Sequence, residues 1–318
     1  MKKYLVLSIV LLFSLAGMAC DFCNCYLGLN PHYKKNSLSL RHSITNYKGT
    51  HHDLGEFSDV GLKDEDFLET RTVTELHGQI YLTPKIQLIL NIPYMTSHES
   101  MSEAAEMAMS NHSHGHDGTA GETMHGIGDP LIIGHYQLFN KVGMDSTSFA
   151  QRLFAGGGLK FPVGSYKLGP NADPSEAAHK PGTGSWDFLI SASYLAKMHK
   201  AGLNINASYM LTTMNNEDFQ FGNRFNVNAI VYYQCKLQHN YLFPGIGIFL
   251  EQAAEDWSRR SYMRNSGGEI LYAHAGLDFY YRRLSFNLAY QMPIKQSLNQ
   301  PQPELSRRMI AGIAVALN

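Results

Sequence analysis

Two clusters of residues in this chain have side-chain types and spacings that favour metal binding. The first is Cys20-x-x-Cys23-x-Cys25, near the N-terminus. Closely spaced thiolates bind Cu(I) or Zn(II) without help from distant sequence. In an exported protein the same cysteines also form disulfides, and Cys235 is the remaining thiol available for pairing. A metal site, a disulfide and acylation of Cys20 are therefore all open interpretations.

The second cluster lies in residues 97–127, a segment rich in His and Met. Imidazoles spaced as in His112-x-His114-x-His116 close around Cu(II), Ni(II) or Zn(II), and thioethers favour Cu(I). Such segments bind metals by composition rather than by fixed geometry, and the alternative is a polar loop without a ligand. The candidate metal ligands of both clusters are Cys20, Cys23, Cys25, His98, Met101, Met107, Met109, His112, His114, His116, Met124 and His125.

Other functions find little support in the residues. The chain has no Gly-x-Ser-x-Gly, no His-Glu-x-x-His and no Gly-rich phosphate loop, so we expect no enzymatic activity. Lys plus Arg number 26 against 27 Asp plus Glu, which gives no electrostatic reason to bind nucleic acid. A copper or zinc ion is the only cofactor that the sequence favours.

The start of the chain predicts export. Two lysines precede a short apolar run that ends at Gly17-Met18-Ala19, which is the pattern of a secretory signal peptide over residues 1–19. The run is too short to cross a bilayer as a helix. A Cys-containing segment, residues 20–35, then leads into the main domain, residues 36–318.

The elements of this domain are predicted by a strict alternation of apolar and polar residues. Charged residues are only 17% of the chain, aromatic residues reach 11%, and the mean hydropathy is −0.22. Alternation places successive side chains on opposite faces of a strand, and about twelve such runs occur. They begin near residues 37, 67, 85, 129, 147, 185, 201, 219, 240, 268, 283 and 305.

The connections between these runs alternate in length. Short turns are predicted at 83–85, 198–200, 238–240 and 282–283, and long loops at 48–66, 97–127, 164–184 and 252–267. Short turns on one side and long loops on the other are typical of outer-membrane barrels, whereas a soluble sandwich has no need of this asymmetry. The prediction is an all-β fold: a transmembrane antiparallel β-barrel of about twelve strands with long extracellular loops, including the His/Met-rich loop 97–127.

The alternation also assigns side chains to the two faces of the barrel. Candidates for the aromatic girdles are Tyr94, Tyr136, Tyr194, Tyr209, Tyr233, Phe279 and Tyr290. The residues predicted to line the lumen are Arg41, Glu69, Arg71, Glu75, His77, His135, Arg152, Lys160, Arg224, His274 and Asp278. Mixed charge inside a barrel either forms structural ion pairs or lines a polar pore, and twelve strands predict a narrow passage.

Several blocks occur in an order that resembles a known family. They are Gly126-Ile-Gly-Asp129, Gly156-Gly-Gly-Leu-Lys-Phe-Pro-Val-Gly164, Gly182-Thr-Gly-Ser-Trp-Asp-Phe188, Phe221-Gly-Asn-Arg-Phe-Asn226 and Ser297-Leu-Asn-Gln-Pro-Gln-Pro303. Together they resemble Gram-negative outer-membrane transporter-like barrels related to the MetA-type proteins of phenol meta-pathway gene clusters. The resemblance covers residues 36–318 and implies passage of small solutes.

The leading functional prediction is an outer-membrane channel for small solutes, whose His/Met-rich loop handles a transition metal such as copper. One alternative is a barrel without transport that only displays a metal-binding loop. Another is an importer of small hydrophobic or aromatic compounds, against which the inward Arg, Glu and Asn residues argue. The expected partners are the outer-membrane bilayer and a small solute or metal ion.

Overall fold

Strands make up nearly all the regular structure of the chain. The computed structural model describes residues 35–49, 67–101, 123–141, 149–167, 177, 179–258, 261–300 and 302–317. The predicted signal peptide and the Cys20–Cys25 cluster lie outside these residues. The strands are β1 (Ser37–Gly49), β2 (Phe67–Thr83), β3 (Ile86–Met101), β4 (Thr123–Ile127), β5 (Leu131–Lys141), β6 (Ala150–Lys160), β7 (Asp187–Met198), β8 (Ala201–Leu211), β9 (Phe219–Gln220), β10 (Arg224–Tyr233), β11 (Cys235–Leu237), β12 (Asn240–Ala253), β13 (Asp256–Ser258), β14 (Ser261–Met263), β15 (Gly268–Tyr281), β16 (Leu284–Leu298) and β17 (Glu304–Ala316). Within the described residues, no helix has the length and apolar content needed to span a bilayer.

Twelve of these strands form a closed antiparallel barrel, as the alternation predicts. The order runs from β10 through β8, β7, β6, β5, β3, β2, β1, β17, β16 and β15 to β12, and the pairing of β10 with β12 closes the ring. The first and last strands pair along nearly their whole length, from Ser37 with Ala316 to Lys48 with Glu304. Closure leaves no strand edge unpaired, which a sheet in lipid requires.

The two ends of the barrel differ in their connections. At one end, the short-turn end, hairpins close through residues 84–85, 199–200 and 282–283. His199 and Arg282 adopt left-handed backbone angles there, both with φ of 55°, as tight hairpin turns demand. The opposite end, the long-loop end, carries the connections between β1 and β2, β3 and β5, β6 and β7, β8 and β10, and β12 and β15, together with the shorter connection between β16 and β17. The predicted hairpin turns therefore lie together at one end of the barrel.

Outward side chains of the barrel are predominantly apolar. On β16, Leu288 and Met292 are 61% and 48% exposed, whereas Gln291 between them is 1% exposed. The girdle candidates lie at outward-facing strand positions on this exterior. Tyr209 lies near the long-loop end, Tyr194, Tyr233 and Phe279 lie toward the short-turn end, and Tyr94, Tyr136 and Tyr290 lie near the middle of their strands. A predominantly apolar exterior is the surface that a lipid bilayer covers.

A small second sheet stands at the long-loop end. It joins β9, β13 and β14, and it packs near a buried apolar cluster formed by Tyr166, Ala177, Phe219 and Phe221. The rings of Phe219 and Phe221 meet edge to face with centroids 4.8 Å apart. The loops at this end therefore possess a core of their own and form a structured rim above the barrel.

Several predicted boundaries differ from the structure. Both ends of the loop predicted at 97–127 are strands, because β3 continues to Met101 and β4 pairs with its far half. The run expected near residue 129 begins at Leu131, after the Gly128-Asp129-Pro130 break. Pro130 has no N–H to donate to a ladder, which explains the interruption. The run expected from 219 starts in the barrel only at Arg224, because Phe219–Gln220 pairs with β13 in the small sheet.

Candidate functional site

The residues predicted to line the lumen lie inside the barrel. All of them except His77 and Arg152 are buried, and these two are half-buried. The burial follows from strand parity: on β2, Glu69, Arg71 and Glu75 are buried, while Leu68 and Leu76 on the other face are exposed. Whether a passing solute touches these side chains stays a prediction.

Lys160 organises one side of the lumen where the barrel meets its long loops. Its ammonium group forms an ion pair with Asp187, lies 3.4 Å from Oδ2 of Asp129 and donates a hydrogen bond of 2.6 Å to Oγ1 of Thr183. Asp129 in turn accepts hydrogen bonds from the backbone N–H of Gly164 at 2.9 Å and of Thr183 at 2.8 Å. One cation therefore joins two buried carboxylates and fixes the connection between β6 and β7.

The sequence blocks that carry the family resemblance meet at this point. Gly182 packs so closely on Gly164 that a Cβ atom on Gly182 would lie 2.5 Å from the carbonyl carbon of Gly164. Only glycine permits this backbone approach. The blocks 126–129, 156–164 and 182–188 therefore build the rim of the lumen, which is a role in structure that the sequence alone did not indicate.

A second group of charged side chains links the loop rim to strands β1, β2 and β3. Arg71 pairs with Glu69 on β2 and stands 5.0 Å from the ring centroid of Tyr47. Glu69 also accepts a hydrogen bond from Oγ of Ser97 at 2.7 Å. Nδ1 of His179, from the β6–β7 connection, lies 3.2 Å from Oε1 of Glu69. A loop residue thus contacts a strand far from it in the sequence.

Arg41 and Glu75 form a third pair deeper in the barrel. Nε of Arg41 lies 2.9 Å from Oε2 of Glu75, and Nδ2 of Asn91 donates to Oε1 of the same carboxylate at 2.6 Å. The three strands β1, β2 and β3 each contribute one of these groups. The ladder of inward charges is therefore paired at this level.

The opposite wall contains a network that sequence reasoning missed. Arg308 on β17 makes a bidentate contact with Glu251 on β12, at 2.8 and 3.2 Å. The hydroxyl of Tyr272 donates to Oε2 of Glu251 at 2.7 Å, and Oε1 of Gln291 accepts from Arg308 at 3.1 Å. Strand parity could have placed Arg308 inside, since Met309 beside it belongs to a predicted outward stripe. Its partner could not be found this way, because the pairing depends on the barrel closing.

The inward histidines make separate contacts. Nε2 of His135 lies 2.7 Å from Oγ of Ser191, and Nδ1 of His274 lies 3.3 Å from Nε2 of Gln291. His77 stands on β2, away from both. Within the part of the chain that the structure describes, no three His, Cys, Asp or Glu side chains are grouped to hold a metal ion.

The remaining predicted cations occupy the two ends of the barrel. Arg152 lies near the short-turn end and donates from Nε to Oδ1 of Asn140 at 3.0 Å. Arg224 lies near the long-loop end, where its guanidinium stands 5.5 Å from the ring centroid of Phe221. Each of these cations thus contacts a neighbouring side chain.

Aromatic rings fill the interior at the short-turn end. The ring of Phe243 lies 5.9 Å from that of Tyr232, 6.4 Å from that of Tyr241 and 5.1 Å from that of Tyr280, centroid to centroid. Asp278 pairs in register with Phe243 and is 6% exposed. We call the four rings the aromatic exit cluster, because they occupy the interior at this end of the barrel.

Between the rim and this cluster lies a cavity that is partly open to solvent. It follows the wall formed by β1 through β10 and includes buried apolar side chains, among them Ile89, Ile133, Leu189 and Met210. The inward Arg, Glu and Asn residues therefore share the lumen with apolar side chains.

Only part of the predicted metal-binding loop is described. His98 on β3 and His125 on β4 are both exposed, and the register pairs Thr96 with His125 and His98 with Thr123. The two imidazoles therefore share the outward face of one hairpin. Met124 lies on the other face and is half-buried, and Met101 ends β3. Outside the described residues lie Cys20, Cys23, Cys25, Met107, Met109, His112, His114 and His116.

Comparison with known proteins identifies the fold. No family model matches the chain, and no curated protein sequence is significantly similar to it. The COG4313 outer membrane channel from Pseudomonas putida F1 superposes with a TM-score of 0.62 at 12% identity, over 91% of this chain and 99% of that chain. The transport unit of the autotransporter AIDA-I from Escherichia coli gives 0.47 at 12% identity, over 92% and 93%. Outer membrane phospholipase A from Escherichia coli gives 0.36 at 10% identity, over 87% and 92%.

The first likeness shows the fold, and the other two are too distant to carry an argument. A closed barrel with an apolar exterior defines the class: this chain is an outer-membrane β-barrel. The fold likeness to the COG4313 channel thus agrees with the barrel fold that the family resemblance implies. The relationship to phenol meta-pathway proteins has no support from sequence comparison and stays a proposal.

Proposed function

We propose that this barrel is a channel through which small solutes cross the outer membrane. The observation that carries the proposal is the partly open cavity along one wall of the lumen, between the loop rim and the aromatic exit cluster. A barrel that serves only as an anchor has no need of such a space, since side chains can fill a barrel of modest strand number. The fold likeness to an outer membrane channel supports the same conclusion.

Purified full-length chain in planar bilayers tests this proposal. We expect small, discrete conductance steps, and a larger step from Phe243→Ala, because this substitution removes the ring that contacts the other three of the exit cluster. Phe286→Ala is the matched control, since Phe286 is 41% exposed on the barrel exterior. A correctly folded barrel that carries no current, with or without Phe243, refutes the proposal.

A second proposal is that the loop 97–127 binds a transition metal, copper first, at the extracellular mouth. The shared outward face of His98 and His125 supports it, because imidazoles are ligands for Cu(II) and Zn(II). The membrane-extracted protein should then contain metal and take up Cu(II) stoichiometrically. Removal of residues 102–122 should abolish the uptake without unfolding the barrel.

The same preparation tests the Cys20–Cys25 cluster and the alternative without transport. Thiol titration and metal analysis of Cys20→Ser, Cys23→Ser and Cys25→Ser variants separate a metal site from a disulfide. Protein with neither metal nor free thiols rejects the metal proposal. Tight copper binding in a barrel without current favours an anchor that only displays the loop. We propose no enzymatic activity for either arrangement.

A further inference from the structure

The cavity wall is ordered into rows of different chemistry. Strand register places Ile89 opposite Ile133, Ile133 opposite Gly158, Gly158 opposite Leu189, and Leu189 opposite Met210. These residues lie side by side across β3, β5, β6, β7 and β8, and Gly158 contributes no side chain. We call Ile89, Ile133, Leu189 and Met210 the apolar strip. All four are buried, and they form one contact cluster.

The neighbouring row toward the short-turn end is polar without charged pairs. It runs through Gln87, His135, Gly156, Ser191, Ser208 and Asn226 in the same register. The next strand positions continue it with Asn206, whose Nδ2 donates to Oδ1 of Asn228 at 3.1 Å. The strip is thus bordered by hydroxyl and amide groups.

Two of these buried groups retain unused hydrogen-bonding capacity. Among the described residues, Oδ1 of Asn206 and Oγ of Ser208 have no hydrogen-bond partner, although the two residues are only 5% and 6% exposed. Both residues line the cavity. A buried polar atom without a partner is unfavourable, so a ligand that offers a donor and an acceptor at this edge binds more tightly.

The acidic and strongly basic residues that line the cavity are engaged in ion pairs. Arg41 is paired with Glu75, and Lys160 is paired with Asp129 and also with Asp187 behind the lining. An ionic solute would compete with one of these pairs for a partner. An uncharged solute leaves both pairs intact.

We propose that the cavity binds a small uncharged solute with one apolar face and hydroxyl or amide groups along one edge. The apolar face lies on the apolar strip, and the polar edge meets Asn206 and Ser208. This inference rests on the proposed channel function and names the class of solute that the channel takes.

Block of the ion current by three matched glucosides tests the inference. Phenyl β-D-glucoside has the apolar face and the hydroxyl edge, methyl β-D-glucoside lacks the apolar face, and phenyl β-D-glucuronide adds a charge. For the full-length chain in a planar bilayer, we expect phenyl glucoside to reduce the current at concentrations where the other two do not. Equal block by phenyl and methyl glucoside, or stronger block by the glucuronide, overturns the inference.

Variants of the strip assign the block to this wall. Leu189→Asn should weaken block by phenyl glucoside about tenfold, because it replaces a buried apolar contact with a polar amide. Leu189→Met keeps the apolar volume and should retain the block. Each block is measured relative to the open current of the same variant, and heat modifiability on a gel confirms folding. Unchanged block in Leu189→Asn contradicts the assignment.

A folded barrel that carries no current is a separate result. Absence of current refutes the channel function, and the same glucosides are then compared by their effect on the unfolding temperature of detergent-purified protein. A ligand that binds the folded state raises this temperature by mass action. A rise specific to phenyl glucoside supports the binding class on its own, and the absence of such a rise overturns it.

Discussion

The two halves of the barrel interior are built differently. The wall of β12, β15, β16 and β17 is filled by large rings and by the Arg308–Glu251 network, with Phe249, Ile270 and Tyr272 each at most 2% exposed. The wall of β3 through β10 carries short amides, hydroxyls and aliphatic side chains, and it borders the cavity. One half therefore stabilises the barrel, while the other leaves space inside it. The free energy of unfolding and the proposed passage of solutes can consequently be altered separately.

The largest effect is expected in the filled half. Arg308→Met leaves the carboxylate of Glu251 buried without its bidentate partner, and it should lower the free energy of unfolding by about 3–5 kcal/mol. Urea titration in lipid measures this change. Arg307→Met is the control, because Arg307 precedes Arg308 in the sequence and its side chain is exposed. Its loss should lower the free energy of unfolding by at most about 1 kcal/mol. Similar costs for both arginines would mean that the buried network contributes little.

Truncation of one apolar side chain on each wall distinguishes the two halves by their contributions to the free energy of unfolding. Phe249→Ala empties a position packed against Tyr272, whose ring centroid lies 5.9 Å away, and it should cost about 3–5 kcal/mol. Leu189→Ala should cost nearer 2 kcal/mol, the low end for such changes, because one side of Leu189 already borders a cavity. The same urea titration measures both. A larger cost for Leu189 would reverse the assignment of the two halves.

Filling the cavity should narrow the proposed passage. Ser208→Phe places a ring beside the apolar strip, so we expect the unit conductance to fall severalfold, while the larger side chain at this buried position should lower the free energy of unfolding by about 1–3 kcal/mol. Ser208→Ala is the matched control and should leave the conductance near its original value. A normal conductance in Ser208→Phe would show that ions take another route.

The smallest effect concerns a contrast at the rim between the buried carboxyl of Asp129 and the half-buried carboxyl of Asp256. Asp129 is paired with Lys160, whereas Asp256 relies on one hydrogen bond from the N–H of Gly222 at 2.7 Å. Burial raises the pKa of Asp256 above its ordinary 3.8, although Gly222 and Arg224 oppose this change. Its contribution to stability is therefore present below pH 3.8 and is lost as the pH rises through the folded-state pKa.

Asp256→Asn should consequently become more stable relative to the unmodified protein as the pH rises above 3.8. Thermal unfolding over a pH series measures the trend. The control Asp218→Asn changes an exposed carboxyl of the neighbouring loop and should show no such trend. A difference that narrows with rising pH would indicate that Asp256 is stabilised as an anion.

The fold could be predicted because alternation is a local property of the chain. Apolar stripes such as Leu284 to Met292 identify strands and their lipid-facing sides without knowledge of any partner. The inward ion pairs could not be predicted, because Glu251 and Arg308 meet only when distant strands are brought to one wall. The apolar strip was missed because a run such as Phe188-Leu189-Ile190 is apolar on both faces, so the alternation that identified other strands did not reveal an inward apolar side chain.

One carboxylate holds both ends of the β6–β7 connection, since Asp129 accepts hydrogen bonds from Gly164 at its beginning and from Thr183 near its end. A loop closed at its base in this way can lengthen cheaply, because each doubling of length costs only about 0.6 kcal/mol of closure entropy. Foreign peptides inserted between Lys167 and Ala177 should therefore be accommodated while the rim and the barrel keep their structure.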